Sequence, residues 1–279
     1  MAVCSASLAE VPLSIAASGH ATVPVKIEGK GEFQFVLDTG AEGSALYSPF
    51  EQQHDIPLRA ETTQLQGQTG AAAVRLADLP PLLLDGVKVE KVVAVVLDPR
   101  ADGIPLAGIV GLDVFGGSLL DFDLAHGRAR LLPSGAAIEG FRAGMAIAAG
   151  STTGGLLTFP VRIGNAQAIA VLDTGARKTR INWRLGRILG LDRVDLGKGE
   201  VIQGATNMPV ETSVAIVKNV SFGGVKLETA PVLVADLPVF ELLGVADRPA
   251  IIFGMDWLSN VRMAVDFPLK RIWFSKARS

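Results

Sequence analysis

Val36-Leu37-Asp38-Thr39-Gly40-Ala41 recurs as Val171-Leu172-Asp173-Thr174-Gly175-Ala176, six identities in six positions, 135 residues downstream. The flanks repeat in the same order. Val23-Pro24-Val25-Lys26-Ile27 answers Phe159-Pro160-Val161-Arg162-Ile163, and Leu65-Gln66-Gly67 answers Ile202-Gln203-Gly204. Gly86-Val87-Lys88-Val89 answers Gly224-Val225-Lys226-Leu227. Ile109-Val110-Gly111-Leu112-Asp113 answers Ile252-Phe253-Gly254-Met255-Asp256, and Leu120-Asp121-Phe122 answers Val265-Asp266-Phe267. Self-similarity on this scale marks a duplicated structural unit, so the chain must fold as two related halves.

Each half reads as strands. Short alternating or fully apolar runs, such as Thr22 to Ile27, Phe33 to Leu37, Val92 to Leu97, Ala168 to Leu172 and Val232 to Val234, are punctuated by Gly, Pro and Asp. The 31 glycines and 15 prolines suit a compact all-β unit with many turns. Gly29-Lys30-Gly31 reads as a hairpin turn. Arg180 to Gly190 has helical spacing at Ile181, Leu185 and Ile188, with Gly190 as a stop. Asp113 and Asp256 fit the first turn of small helices, where the helix dipole favours an acid. The division expected is a lobe over 1–134, a Gly/Ala/Ser-rich segment over 135–155 with an interlobe strand near Met145 to Ala149, and a lobe over 156–279.

Composition excludes several classes. A net charge of −2, with 26 basic and 28 acidic residues, offers no electrostatic footprint for nucleic acid. No apolar run approaches the roughly 20 residues a spanning helix needs. Cys4 is the single cysteine, so no intrachain disulfide forms. His20, His54 and His126 share no ligand spacing and read as surface histidines, so neither a metal nor any other cofactor is expected. No Gly-x-Ser-x-Gly supports a serine hydrolase. Arg177, Lys178 and Arg180 read as a solvated basic patch, with binding of an acidic substrate residue as the lesser alternative. Residues 1–9 read as a frayed terminus or as the tail of a trimmed export signal ending in Ser7-Leu8-Ala9.

An Asp-Thr-Gly at the end of an apolar strand carries a carboxylate to the edge of a core. Gly40 and Gly175 let the backbone turn sharply and approach a partner, and the threonine hydroxyl and glycine amide can hold the acid. Two such loops on related halves place Asp38 and Asp173 face to face. Carboxyls that close cannot both ionise cheaply, so they share a proton and offer an acid and a base together. That is the equipment for driving a water molecule into a peptide carbonyl.

These residues resemble the retropepsin and pepsin group of aspartic proteases nearly end to end. The resemblance rests on Asp38-Thr39-Gly40-Ala41, Asp173-Thr174-Gly175-Ala176 and the apolar-Gly segments Ile109-Val110-Gly111 and Ile252-Phe253-Gly254, which in that family buttress the catalytic loop. Ser44 and Thr179 match its small hydroxyl six residues after the Asp. Each half resembles one retropepsin subunit, and the whole is similar to bacterial periplasmic proteases with two fused copies. The resemblance implies two tandem β-barrel domains in a pseudo-two-fold bilobal fold. It also implies catalytic Asp38 and Asp173, supported by Thr39, Gly40, Ala41, Thr174, Gly175 and Ala176. The ligand implied is an extended polypeptide substrate, and export to the periplasm is the expected location, with the cytoplasm left open. By position the substrate-covering flaps are Gln66-Gly67-Gln68-Thr69-Gly70 and Gln203-Gly204-Ala205-Thr206-Asn207. Neither carries the pepsin flap tyrosine, since the sole tyrosine is Tyr47, so a retropepsin-like flap pair is expected.

Glu42-Gly43-Ser44 in one half faces Arg177-Lys178-Thr179 in the other, so the cleft should be electrostatically lopsided. Ala41 and Ala176 stand where a serine would donate to its carboxylate, which predicts a less acidic pH optimum than that of a serine-containing relative. The alternative function is a catalytically silent peptide-binding or scaffold protein, which two intact motifs argue against. Pairing of the lobes within one chain is expected over an obligate dimer, though the linker permits either.

Overall fold

The computed structural model describes residues 10–206 and 208–277. The N-terminal stretch read as a trimmed export signal, and Asn207 of the second flap candidate, lie outside the described residues. The regular structure of the described chain is mostly strand, in a ten-stranded sheet from the first half, an eight-stranded sheet from the second, a six-stranded sheet shared by both, and a separate two-stranded pair.

The same local arrangement appears twice. Ala21–Ile27 pairs antiparallel with Gly31–Leu37 through the turn at Gly29, and Leu157–Ile163 pairs antiparallel with Ala166–Leu172 through Gly164. Alternate residues of the first strand of each hairpin, Val23, Val25 and Ile27 and then Phe159, Val161 and Ile163, are buried, as period-2 patterning demands. Gly108–Val110 inserts parallel to Gly31–Leu37 and antiparallel to Ala45–Tyr47. Ala250–Phe253 does the same between Ala166–Leu172 and Arg180–Ile181. Strands with neighbours on both sides and cover on both faces are apolar throughout, and all four residues of Ala250–Phe253 are buried. The expected helix from Arg180 begins later, at Trp183–Ile188, because Arg180 and Ile181 are held in the sheet; the Asn182 side chain caps it, accepting from the Leu185 N–H at 3.0 Å.

The halves meet in the six-stranded sheet. Ser118–Asp123 of the first pairs antiparallel with Val261–Asp266 of the second, and Leu120 lies opposite Val265. Those two residues are equivalents in the sequence repeat, so the pseudo-two-fold axis passes between them. The segment joining the lobes contributes Ile147–Ala148, paired with Arg271–Lys276 at the edge. Asp121, buried in this sheet, receives Arg130 from the first half and Arg262 from the second, so a shared carboxylate ties the lobes together. Among the described residues no helix is long and apolar enough to cross a membrane.

Candidate active site

Each Asp-Thr-Gly loop leaves its strand at the same level. The Asp38 N–H donates to the Val110 carbonyl at 3.1 Å and the Asp173 N–H to the Phe253 carbonyl at 3.1 Å. The apolar-Gly strands thus hold both loops from behind. Their glycines are required by contact. A Cβ on Gly111 would lie 2.6 Å from the Gly43 carbonyl oxygen, and one on Gly254 would lie 2.8 Å from that of Ala176.

The two threonines lock the loops together. Thr39 N–H donates to the Thr174 hydroxyl and Thr174 N–H to the Thr39 hydroxyl, both at 3.0 Å. Each hydroxyl in turn donates to a carbonyl across the axis, Thr39 to Leu172 and Thr174 to Leu37. Both threonines are buried.

Above this knot Asp38 and Asp173 come together, each resting on the other loop's glycine. A Cβ on Gly40 would sit 2.5 Å from the Asp173 Cγ, and one on Gly175 would sit 2.1 Å from the Asp38 Oδ2. Asp38 Oδ1 accepts from the Gly40 and Gly175 amides at 2.7 and 3.2 Å. Asp173 Oδ1 accepts from the Ala176 amide at 2.9 Å. Burial raises both carboxyls above the ordinary 3.8, and the neighbouring Asp173 charge pushes Asp38 well above it. Arg180 and the Ala176 amide restrain the rise at Asp173. Both shifts favour the protonated carboxyl, and the two acids titrate as one interacting pair.

Ser44 and Thr179, six residues after each Asp, act as struts. The Ser44 hydroxyl donates to Asp113 and accepts from the Gly111 N–H; the Thr179 hydroxyl donates to Asp256 and accepts from the Gly254 N–H. Asp113 and Asp256 thus do more than sit at helix starts. Their elements span four and three residues, too short for much dipole, and what fixes the acids is the loop hydroxyl and amide they receive.

The flap candidates differ in size. Gln66 to Gly70 forms the tip of a long hairpin, Leu58–Gly67 with Gly70–Leu79. The Gln203 backbone belongs to the short pair Ile202–Gln203 with Pro209–Val210, followed by Gly204, Ala205 and Thr206. The tips touch, with Thr69 and Thr206 hydroxyls 3.1 Å apart. Gln68 reaches from the long flap onto the acid pair, its Nε2 donating to Asp173 Oδ2 at 2.6 Å while its Oε1 accepts from Arg180 at 2.5 Å.

The aspartyl protease family model matches residues 23–114 and 159–257, well over half of the chain and once in each lobe. The chain belongs to the aspartyl protease family. Its two domains are tandem retropepsin-like units. A search of curated proteins finds no match.

Two expectations for this family member need correction. Arg177 and Lys178 are exposed as expected of a basic patch, but Arg180 is only 6% exposed, because it belongs to a central strand and turns inward to Gln68. His20 and His54 are half-buried: His54 packs on Phe33 and Phe50, and burial beside Arg100 and Arg177 lowers the His20 pKa to about 4. The readable signal for Arg180 was the repeat itself, which places an arginine where the first half has Ala45. Among the described residues no cluster of His, Cys, Asp and Glu could hold a metal.

Proposed function

We propose that the protein is an aspartic endopeptidase that hydrolyses peptide bonds between Asp38 and Asp173. The observation that carries this reading is the facing pair of buried carboxyls on the pseudo-two-fold axis, cradled by Gly40, Gly175 and Ala176 amides; with both raised, they can share one proton. One carboxylate takes a proton from water as its oxygen bonds to the scissile carbonyl carbon, and the other carboxyl donates to the carbonyl oxygen. When the tetrahedral adduct collapses the C–N bond breaks and a proton passes to the leaving amine. An extended peptide would lie under the long flap, which must first withdraw Gln68 from Asp173. Thr39, Thr174, Ser44 and Thr179 keep the acids in register and touch no substrate.

The reading is tested by profiling a peptide library with wild type, Asp38→Asn and Asp173→Asn. Endoproteolytic cleavage by the wild type, abolished in both variants, is expected. Undiminished cleavage by either variant would refute a shared pair. Peptide binding without turnover by the wild type would favour the scaffold alternative.

A further inference from the structure

Arg180 has the character of a recognition group that lacks its ligand. No other arginine or lysine among the described residues is as deeply buried. The charges around it are mixed: Asp173, Glu200 and Asp256 favour its charged form and Arg177, itself 3.9 Å from Glu200, opposes it. Arg180 forms no ion pair with any described carboxylate; its hydrogen bond goes to the neutral carboxamide of Gln68, and its Nε is buried with no partner. A desolvated guanidinium with a spare donor is costly unless an anion completes it.

The place where that anion would sit is marked by the flap. Gln68 bridges Asp173 and Arg180 with one carboxamide, presenting an N–H to the acid and an oxygen to the base. When the flap lifts to admit a peptide, both contacts go with it. The first half has Ala45 at the equivalent position, so only one side of the cleft carries this group.

Resting on the peptidase reading, we propose that Arg180 makes the cleft selective for substrates with an Asp or Glu side chain beside the scissile bond, the carboxylate replacing the Gln68 oxygen on the guanidinium. A charge-assisted hydrogen bond formed with Glu and not with Gln is worth about tenfold or more in kcat/KM. The preference belongs to the ionised side chain and fades below roughly pH 4.3.

The experiment compares extended peptides identical except for Glu, Gln or Lys at each position flanking the cleaved bond. They are assayed with wild type, Arg180→Met and Arg180→Lys, each checked for folding by circular dichroism. At one flanking position the wild type should prefer Glu over Gln by about tenfold or more and reject Lys. Arg180→Met should bring the Glu/Gln ratio towards one, and Arg180→Lys should restore part of it. No Glu preference in the wild type overturns the proposal, and that comparison decides alone if Arg180→Met does not fold. An unchanged ratio in Arg180→Met, with a pH profile shifted equally on every peptide, also overturns it, because Arg180 would then serve only as countercharge to Asp173. Should the wild type cleave nothing, the peptidase reading fails by itself. Fluorescence anisotropy with labelled Glu and Gln peptides, in the Asp38→Asn background with and without Arg180→Met, then still decides the role of Arg180.

Discussion

Thr39 and Thr174 satisfy one another, each backbone N–H donating to the other's hydroxyl at 3.0 Å across the pseudo-two-fold axis. Valine at either position keeps the volume but strands a buried amide and a carbonyl of the opposite lobe. Thr39→Val and Thr174→Val should each lower stability by about 1–3 kcal/mol. Each change removes its own pair of hydrogen bonds and leaves the other threonine's hydroxyl bonded, so the double variant should lose about the sum. Urea unfolding of the four proteins measures the losses, and single variants as stable as the wild type would contradict the reciprocal lock.

The glycines beneath the acids predict a separation of activity from stability. Gly40→Ala drives a methyl into the Asp173 carboxylate and Gly175→Ala drives one into Asp38. Overpacking of this kind costs about 1–3 kcal/mol. Peptide cleavage should fall by roughly 10²-fold or more, since an ångström of misplacement suffices for that. Cleavage near the wild-type rate, with a normal melting curve, would show that the acids do not pack as described.

Asp38 should be a stability liability at neutral pH. Its folded pKa is raised, by burial and by the Asp173 charge, so the folded state holds a proton that the unfolded state releases above about pH 3.8. The stability it contributes is complete below that value and is lost as pH rises through the folded pKa. Asp38→Asn should therefore unfold at higher denaturant than the wild type at pH 7, with the difference shrinking towards pH 4, while cleavage drops by about 10²–10⁴-fold. A variant less stable than the wild type at pH 7 would contradict the raised pKa.

His20 has the opposite sign. Burial first, then Arg100 and Arg177, lower it from 6.5 to about 4. Its contribution to stability is present above 6.5 and is lost as pH falls from there towards 4. An NMR titration of the imidazole should show a midpoint near pH 4. His20→Gln should remove part of the acid destabilisation between pH 6 and pH 4. A midpoint above 6 would mean that the ring is solvated.

Ala41 and Ala176 offer no hydroxyl to their carboxylates. Ala41→Ser and Ala176→Ser should each add a donor that favours the ionised pair, moving the acidic limb of the pH–rate profile downwards. Limbs that stay in place in both variants would show that the serine hydroxyls do not reach the acids.

Much of this was legible in the chain as a string of residues. A six-residue identity around each Asp, Gly111 and Gly254 in matching places, and period-2 apolar runs all act over short stretches, where residue type dictates backbone path and burial. Two copies of an incomplete unit then imply that each completes the other. The burial of Arg180 was not legible, because a strand sends successive side chains to opposite faces and only the register with Ile252 and Leu233 decides which face Arg180 takes. The same holds for Asp113 and Asp256, whose hydroxyl partners lie 69 and 77 residues away.

By itself, then, the sequence determined the duplication, the strand-rich lobes, and the two acids with the glycines and threonines that seat them. All of these are local chemistry repeated twice. Only the tertiary structure decided how the two halves differ around the acids, with one long hairpin and one short one over them, and with a buried arginine on one side held to Asp173 through Gln68. That asymmetry depends on contacts between residues more than a hundred apart in the chain, where proximity comes from packing and not from spacing.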